Sequence, residues 1–555
     1  MPTYTSRLPG RSAAGNRNRL TVCLLAVSAA ISIHIETVSA QQSSAAESIS
    51  PGFTVRKFAV DGQNPISTKT TARILSSYLN REIDIEELRK AATEIEKELA
   101  KSGYNFYRAQ LPPQTLQDGV VRIDIERINI ADVTVTGNDY FTARNITRSL
   151  PLVAAGKSPN TQDIANALLL AEDNPAKDVR VVFVRGGDPQ TVDANISVQD
   201  KNPNEFYLWA NNAGSRLATD SRLGVQYHNR NLFDLDHQIA LSYTVSPEEL
   251  DELSQYGINY RIPNYSLRGM FNIFYSKSDA DTGRVADVFD ISGAGENIGV
   301  GYTQYLDKRG DYQHRLTVDV IDKLFDSNIL FNSANIGEDV RSRPLTLEYI
   351  SRLDFSNWLV NSTISYSSNL SGGSFNSDAA YGQVRAGAES DWDKLKLALR
   401  FDYRFSRDWR SNILLFAQQT SDALIPGEQM GLGGALGDLG PRGFFEREVT
   451  VDKGLKGTLE VARDFPTKRM QLGAFLDFAS GDVINPQVGE SPDESLSSVG
   501  LTARWSPRAD LSLKFDYGYI LDGVDQTFTP EASDDGDSRL HLSVSWYPAW
   551  PWGNK

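Results

Sequence analysis

The chain has 555 residues, a formal net charge of −15 at pH 7 and a single cysteine, Cys23. This acidity argues against a nucleic-acid-binding protein, because such proteins neutralise phosphates with lysine and arginine. Residues 1–40 contain Cys23, four arginines and one glutamate, so without them the formal charge is −18 and no disulfide can form.

The first 40 residues have the organisation of a secretory signal peptide. Four arginines precede an apolar run over residues 20–35, and Val38-Ser39-Ala40 is a small-residue cleavage site. We therefore predict a signal peptide over residues 1–40, cleaved between Ala40 and Gln41. No later stretch approaches the roughly 18 apolar residues that a membrane-spanning helix requires.

A short polar segment, residues 41–50, precedes the first structured region. As a helix rising ~1.5 Å per residue, this segment extends only about 15 Å, which is too little to span a barrel. We therefore predict that no N-terminal helix plugs a pore in this protein.

Residues 51–200 combine helical and strand periodicity in an order that occurs twice. Strands over 53–60 and 120–126 enclose a helix over 67–79 and a helix that Asp84 caps and Gly103 ends. Strands over 130–135, 179–184 and 192–198 and helices over 142–150 and 160–172 repeat the order strand–helix–helix–strand–strand. We predict two tandem α+β modules, over residues 51–127 and 128–200.

From residue 204 onward, apolar and polar residues alternate with the period of a β-strand. The clearest segments are residues 223–228, 239–243, 394–405, 511–519 and 539–546. A soluble sheet protein also alternates, but strands of about ten residues recurring over some 340 residues favour a closed barrel in a membrane. We predict a transmembrane antiparallel β-barrel over residues 204–555.

Several short motifs follow one another in a specific order along the chain. They are Lys101-Ser102-Gly103-Tyr104, Leu111-Pro112-Pro113-Gln114, Gly156-Lys157-Ser158-Pro159-Asn160, Asn211-Asn212-Ala213-Gly214 and Tyr260-Arg261-Ile262-Pro263. With this domain order, the chain resembles the two-partner secretion transporters, the haemolysin activation/secretion (TpsB) branch of the Omp85 superfamily. The resemblance implies two POTRA domains in the periplasm and an outer-membrane barrel of about 16 strands.

The sharpest motif is Gly433-Gly434 followed by Gly440-Pro441-Arg442-Gly443-Phe444. It resembles the Arg-Gly-Phe/Tyr segment of the sixth extracellular loop of this superfamily, which folds back into the barrel, and it places that loop at about residues 421–455. A partner motif follows at Phe475-Leu476-Asp477. The strand period points Asp477 into the lumen, where its carboxylate can meet Arg442.

The candidate site residues are therefore Gly440, Arg442, Gly443, Phe444, Asp452 and Gly454 in the loop region and Phe475 and Asp477 on the barrel wall. Three positions depart from the family pattern. Pro441 stands where valine is common, Val451 where glycine often precedes Asp452, and Ala479 where glycine is expected. These changes leave the ion pair between Arg442 and Asp477 possible.

The sequence contains no recognisable catalytic or metal-binding motif. The five histidines are scattered, no Gly-x-Ser-x-Gly elbow occurs, and residues 431–440 lack the Gly-Lys-Ser/Thr of a phosphate-binding loop. We expect no enzymatic activity, metal, cofactor or nucleotide. An outer-membrane phospholipase with a dispersed triad is the enzymatic alternative.

The resemblance implies a translocator that binds an unfolded exoprotein through its N-terminal secretion domain and passes it through the barrel. Outer-membrane lipids and, during biogenesis, the barrel assembly machinery are further partners that it implies. Two other functions stay open: an Omp85-type factor that assembles outer-membrane proteins, and a passive porin. The exoprotein itself, whether adhesin, haemolysin or contact-dependent toxin, is left open by the sequence.

Overall fold

The computed structural model describes residues 52–548, except 116–117, 215–219, 249–253, 279–283, 286–288, 291–294, 327–329, 332–333, 336–338 and 436–439. The predicted signal peptide, its cleavage site and the segment 41–50 lie outside the described residues. Across the described part of the chain, no helix is both long and apolar enough to cross a membrane.

The first module is a three-stranded sheet with two helices. Lys57–Gly62 pairs in parallel with Val120–Arg127, which also pairs antiparallel with Tyr107–Gln110. The helices are Thr68–Leu75, continued by a 3₁₀ turn at Ser76–Tyr78, and Ile85–Lys101. Leu88, Ala91, Ile95 and Leu99 of the second helix are buried in the module's core, as the helical period predicts.

The single strand predicted over residues 53–60 is wrong. Phe53–Thr54 pairs with Glu82–Ile83, and a separate strand begins at Lys57. Between them, Val55 is fully buried in the core and its carbonyl accepts a hydrogen bond from the Asn80 N–H at 2.8 Å. The chain changes partner at this point, which an apolar run of strand-like residues does not reveal.

The second module repeats the arrangement. Its sheet has the order Asn129–Thr136, Thr191–Asp200, Lys177–Arg185, with the first pair parallel and the second antiparallel. Its helices are Ala143–Ser149 and Thr161–Ala171. As predicted, Asn160 caps the second helix, and its side-chain oxygen accepts from the N–H groups of Gln162 and Asp163.

The two modules are joined through the ends of two helices. The carbonyl of Gly103, just beyond helix Ile85–Lys101, accepts a hydrogen bond from the Thr161 N–H at 2.9 Å. The Asn160 amide donates to the Ser102 carbonyl at 3.2 Å. The C-terminal end of helix Ile85–Lys101 thus meets the N-terminal end of helix Thr161–Ala171, and the contact pairs backbone groups that helix ends leave unpaired.

This junction generates a prediction for Gly103. It has φ +84°, and an added Cβ would lie 2.2 Å from the Asn160 side-chain oxygen. We expect Gly103→Ala to destabilise residues 51–201 by the ~1–2 kcal/mol of left-handed backbone and by about 1 kcal/mol more for the disturbed cap.

Urea unfolding of this fragment measures the effect. Gly156→Ala is the matched control, because Gly156 has φ +80° with open space around its Cβ position. Equal destabilisation by the two variants would contradict the proposed packing at the junction.

The remainder of the chain forms a closed antiparallel barrel. Within the described residues it has sixteen strands, counted 1 to 16 along the chain. They are Asn204–Asn211, Arg222–Leu232, His237–Val245, Ser254–Asn264, Gly269–Ser278, Gly295–Tyr305, Tyr312–Phe325, Val340–Ser342 with Pro344–Asp354, Trp358–Asn369, Asp393–Arg404, Trp409–Gln419, Lys453–Phe465, Met470–Asp482, Asp493–Arg508, Leu511–Asp522 and Ser538–Trp546. The two pieces of strand 8 count as one because both pair with strand 7.

Burial along the strands follows the predicted alternation. In strand 13, Leu472, Ala474, Leu476 and Phe478 are exposed on the outer surface, whereas Phe475 and Asp477 between them are buried inside. Backbone groups of a closed sheet pair with each other, so an apolar outer surface can face lipid without leaving an edge. The predicted fold class, two α+β modules followed by a transmembrane barrel of about 16 strands, is confirmed.

The barrel closes where strand 1 meets strand 16. Only four residue pairs join these strands, from Leu208–Trp546 to Asn211–Ser543, whereas eight join strand 1 to strand 2. The Asn212 side chain continues the junction by hydrogen-bonding the backbone of Leu540 and Leu542.

Connections alternate between short turns at one end of the barrel and longer loops at the other. Four long loops matter for the site: the first (212–221), the fifth (370–392), the sixth (420–452) and the seventh (483–492). The fifth contains the helix Asp378–Val384. The sixth contains a 3₁₀ turn at Pro426–Glu428 and a small hairpin that pairs Met430–Leu432 with Val449–Val451. We call residues 420–452 the inward loop.

Candidate functional site

Arg442, at the tip of the inward loop, is clamped by Asp477 of strand 13. Its Nε donates to one Asp477 oxygen at 2.7 Å and its Nη2 donates to the other at 2.8 Å. Its backbone N–H also donates to this carboxylate, at 3.0 Å. Arg442 is 2% exposed and Asp477 is fully buried. A guanidinium matches a carboxylate in this two-point geometry, which a lysine cannot reproduce.

Further acidic groups and an aromatic ring surround the Arg442 guanidinium. Nη1 donates to Glu460 of strand 12 at 3.2 Å and lies 3.6 Å from Asp516 of strand 15. The ring of Phe475 lies beneath the guanidinium, 3.4 Å from its central carbon. Burial alone would lower the pKa of Arg442, but the hydrogen bonds and charge of Asp477 raise it above its ordinary value. Arg442 is therefore a fixed positive charge.

The glycines on either side of Arg442 allow this close approach. A Cβ at Gly440 would lie 2.7 Å from an Asp477 oxygen, and Gly443 has φ +105°, a conformation that favours glycine. The Gly443 N–H donates to Nε2 of His541 in strand 16 at 3.0 Å. This nitrogen of His541 is therefore an unprotonated acceptor.

Phe444 anchors the tip by apolar contact. It is fully buried in a cluster with Leu432 and Val451 of the loop's own hairpin and Leu496 and Ile520 of the barrel wall. Burying one phenylalanine side chain contributes about 1.5–3 kcal/mol. The end of the inward loop is thus held both by the Arg442–Asp477 ion pair and by the apolar packing of Phe444.

The end of the inward loop carries a second buried ion pair. Asp452 is fully buried, and its two oxygens accept from Nη1 and Nη2 of Arg385 at 2.7 and 3.1 Å. The same carboxylate accepts from the N–H groups of Leu424 and Ile484 and from the side chain of Gln429. Since Arg385 follows the helix of the fifth loop and Ile484 lies in the seventh, Asp452 ties three loops together.

The sequence-based boundary of the loop needs a correction here. Strand 12 begins at Lys453, so Asp452 is the last loop residue and Gly454 lies in the strand, not in the loop. A Cβ at Gly454 would lie 2.5 Å from the Ser480 carbonyl and 2.7 Å from the Met430 side chain. Gly454 therefore lets the hairpin of the inward loop pack against the barrel wall.

A third buried ion pair lies near the start of the inward loop. Glu428, 2% exposed, accepts from Lys394 of strand 10 at 2.6 Å, from Lys323 of strand 7 at 2.9 Å and from the Ser342 hydroxyl of strand 8 at 2.6 Å. Burial alone would raise the pKa of the Glu428 carboxyl, but Lys323 and Lys394 hold it well below its ordinary value. The inward loop thus contacts two separate parts of the barrel wall. Glu428 binds side chains of strands 7, 8 and 10, and the segment around Arg442 binds side chains of strands 12, 13 and 16.

The strand period and motif spacing place Arg442 against Asp477, and the structure brings these two residues together with Phe475, Glu460 and Gly440. Asp452 belongs to a separate cluster. The sequence did not reveal Arg385, Glu428 or His541 as parts of the site, because nothing in their local pattern separates them from ordinary loop and strand residues. Among the described residues, no group of three or more His, Cys, Asp or Glu side chains could hold a metal ion.

Comparison with known proteins identifies the family. A family model for haemolysin secretion/activation protein ShlB/FhaC/HecB matches residues 191–504, more than half of the chain. The chain belongs to this family. A second model, POTRA domain, ShlB-type, matches residues 53–127. As a family member, the protein is an outer-membrane β-barrel with periplasmic POTRA domains.

Individual relatives are distant. Heme/hemopexin transporter protein HuxB of Haemophilus influenzae is 21% identical over 231 residues, covering 39% of this chain and 41% of the relative. Outer membrane transporter CdiB of Dickeya dadantii is 22% identical over 192 residues, covering 35% and 34%. The matched segment thus spans well under half of these relatives.

Solved structures show the same fold over nearly the whole chain. CdiB from Escherichia coli aligns with a TM-score of 0.72 at 17% identity, covering 92% of this chain and 93% of that chain. CdiB from Acinetobacter baumannii aligns with a TM-score of 0.67 at 15% identity, covering 90% of each.

The Arg442 cluster generates a stability prediction. Asp477→Asn keeps the shape of the side chain but leaves Arg442 buried without its main counter-charge, so we expect a loss of about 3–5 kcal/mol. The purified barrel is heated to a series of temperatures and then run on a cold detergent gel. The measurement is the temperature at which half of the protein no longer migrates as the compact, folded barrel.

Asp354→Asn is the matched control, because Asp354 pairs with Arg352 at an exposed site, where such pairs contribute at most about 1 kcal/mol. An Asp477→Asn barrel as stable as this control would show that the Arg442 clamp is energetically unimportant.

Proposed function

We propose that this protein is the outer-membrane translocator of a two-partner secretion system. It binds an unfolded exoprotein in the periplasm through two POTRA domains, over residues 51–127 and 128–200, and passes it through the barrel of residues 204–555. Residues 1–40 are proposed to be removed between Ala40 and Gln41 during export. Family membership and the inward loop, held inside the barrel by Arg442, support this proposal most directly.

The POTRA domains are suited to bind an extended chain. Each sheet has three strands, so each presents two edge strands with backbone N–H and C=O groups on their outer sides. The longest edge strand is Lys177–Arg185, with nine residues. Adding a substrate strand to such an edge supplies affinity through main-chain hydrogen bonds, independently of most of the substrate's sequence.

The inward loop is proposed to obstruct the barrel at rest and to move during export. Its tip contacts strands 12, 13 and 16, and Glu428 contacts strands 7, 8 and 10. Export through the lumen therefore requires some of these contacts to break. We propose no nucleotide, cofactor or enzymatic step, so direction comes from folding of the exoprotein outside the cell.

Both relatives are named as transporters. One is described as a transporter of heme/hemopexin and another as an outer membrane transporter. For this chain we propose a secreted protein with an N-terminal secretion domain. Outer-membrane lipids surround the barrel, and the barrel assembly machinery inserts it.

Deletion of the gene tests the proposed function. We expect one large protein to disappear from the culture supernatant and cell surface, while other outer-membrane barrels keep their abundance in quantitative proteomics. Depletion of many unrelated barrels would instead indicate an assembly factor. An unchanged protein profile would indicate a porin or an enzyme and would refute the proposal.

The same comparison of culture supernatants tests the roles of Arg442 and Asp477. We expect Arg442→Ala, and Asp477→Ala similarly, to reduce export of this protein while the barrel still reaches the outer membrane, because each removes one half of the buried clamp. Export is measured in supernatants, and assembly by the heat-modifiable gel mobility of the barrel. Unchanged export in either variant contradicts the assigned role.

A further inference from the structure

The two POTRA domains have corresponding edge strands. In the first domain, Tyr107–Gln110 lies at one edge of the sheet and pairs with Val120–Arg127. In the second, Lys177–Arg185 lies at the equivalent edge and pairs with Thr191–Asp200. Both pairings are antiparallel, so alternate residues of each edge strand turn their backbone N–H and C=O groups away from the sheet. An added strand binds to those outward groups.

Tyr107 and Ala109 are the outward residues of the first edge strand. The Ile128 N–H donates to the Phe106 carbonyl at 2.9 Å, and this bond continues the register that pairs Tyr107 with Arg127. Residues with even numbers therefore bond to the central strand of the sheet. Those with odd numbers turn their backbone groups outward.

The outward groups of this strand are already occupied. The Ala109 N–H donates at 2.9 Å to Oε1 of Glu96, on the second helix of the domain. The Tyr107 N–H donates to the Tyr104 carbonyl at 3.3 Å, and the Tyr107 carbonyl accepts from Nη1 of Arg108 at 3.1 Å. Three of the four outward backbone groups thus have partners inside the domain.

Glu96 is the partner that an added strand must displace. A hydrogen bond from a backbone N–H to a carboxylate is roughly twice as strong as one between neutral groups. A substrate strand offers the Ala109 N–H only a neutral carbonyl in exchange. Strand addition at this edge is therefore disfavoured for as long as Glu96 is in place.

The second edge strand is longer, with nine residues against four. Two bonds beyond its ends continue its register: the Lys201 N–H donates to the Ala176 carbonyl at 2.9 Å, and the Gly186 N–H donates to the Thr191 carbonyl at 3.1 Å. Even-numbered residues therefore bond to the central strand here as well. The outward residues are Lys177, Val179, Val181, Phe183 and Arg185.

Most outward N–H groups of this second edge strand are available. The Lys177 N–H donates to the Asn174 carbonyl at 3.3 Å, as Tyr107 does to Tyr104 in the first domain. Within the part of the chain that the structure describes, the N–H groups of Val179, Val181 and Phe183 donate no hydrogen bond. This edge therefore offers a substrate strand consecutive outward donors.

The other two edges are less suited to strand addition. The register of Asn129–Thr136 shifts after Ile130, and Ile130 already exchanges backbone hydrogen bonds with Gly156 and Lys157, each at 2.8 Å. Lys57–Gly62 has only six residues. Neither offers a regular edge as long as that of Lys177–Arg185.

We propose that the exoprotein adds a strand to Lys177–Arg185 of the second POTRA domain, and that Glu96 closes the corresponding edge of the first. The added segment is extended and carries apolar residues at alternate positions, because these lie beside Val182 and Val184 on the solvent side of the sheet. This inference rests on the proposed function, since it names where the exported chain binds. Closure by Glu96 is independent of any substrate.

Hydrogen–deuterium exchange of the full chain in detergent tests the closure. In Glu96→Ala, the Ala109 amide loses its acceptor, so we expect its exchange to accelerate about tenfold or more, the factor that corresponds to 1.4 kcal/mol. The matched control is Glu98→Ala, which removes a carboxylate of the same helix that pairs with the exposed Lys101. Unchanged exchange in Glu96→Ala overturns the closure.

Unchanged exchange in the central strand Val120–Arg127 verifies that the domain stays folded. Should Glu96→Ala unfold it, Glu96→Gln decides the question, because glutamine keeps the shape and offers a neutral acceptor. We expect a smaller acceleration at Ala109 in that variant, and none would overturn the closure.

The binding site is tested with the exoprotein that the deletion experiment identifies, unfolded in urea and diluted into the full chain. We expect exchange to slow at residues 177–185 and to stay unchanged at residues 107–110. In Glu96→Ala, we expect it to slow at both. Slowing at residues 107–110 of the unaltered protein, or at no edge strand, overturns the proposal.

Proline substitution provides the matched pair for binding. Val181→Pro removes one outward N–H, leaves the bonds to the central strand in place and obstructs an added strand. We expect half-maximal slowing of exchange to require about tenfold more exoprotein. Ala109→Pro makes the same change at the closed edge and should leave binding unaltered. Equal binding by the two variants contradicts the proposed site.

A second variant keeps this test decisive if Val181→Pro disturbs the fold, which exchange in Thr191–Asp200 reveals. Val184 is 40% exposed, so Val184→Asp spares the core of the domain. It places a charge beside the apolar side chains of the added strand and should also weaken binding. Unaltered binding by Val184→Asp refutes the site.

The two arms separate this inference from the proposed function. If deletion identifies no exported protein, the proposed function falls, and exchange in Glu96→Ala still decides the closure. If an exported protein is identified but slows exchange at another edge or at none, the proposed function stands and the assigned binding edge falls.

Discussion

Charge inside a closed barrel must be paired, and the inward loop is organised by that requirement. Three of its ionised side chains, Glu428, Arg442 and Asp452, are at most 2% exposed. Each meets a group of opposite charge at hydrogen-bond distance. Removing a charged group from water costs several kcal/mol unless a partner compensates for it. The path of the loop through the barrel is therefore determined by where the wall and the fifth loop supply a cation or a carboxylate.

The partners come from widely separated parts of the sequence, which makes the loop a connector between distant strands and loops. Arg442 joins strands 12 and 13, Glu428 joins strands 7, 8 and 10, and Asp452 joins the fifth and seventh loops. Separating the partners of a buried pair leaves an uncompensated buried charge, which costs about 3–5 kcal/mol. Any placement of the loop that separates one of the three pairs is therefore disfavoured.

Sequence patterns predicted the features that repeat or are local. The two-residue period placed Phe475 and Asp477 inside the barrel, and cap residues such as Asp84 and Asn160 marked helix starts. Arg385 escaped prediction, since it is 67 residues from Asp452 in a loop without periodicity. Phe53–Thr54 was assigned to the wrong strand because strand propensity does not specify the partner. Contacts set by tertiary placement, rather than by period or cap, were the ones that the sequence left open.

The narrow contact between strands 1 and 16 bears on how the molecule is made. Tyr207 and Ser545 meet there although 338 positions separate them along the chain. The ring of strands cannot be completed until the last strand has been synthesised and exported, and pairings of such long range form slowly. Throughout that interval, Asn204–Asn211 and Ser538–Trp546 each lack one neighbour, and unpaired edges invite aggregation. The barrel is therefore prone to aggregation for as long as it is incomplete. It must be shielded between export and the pairing of strand 1 with strand 16.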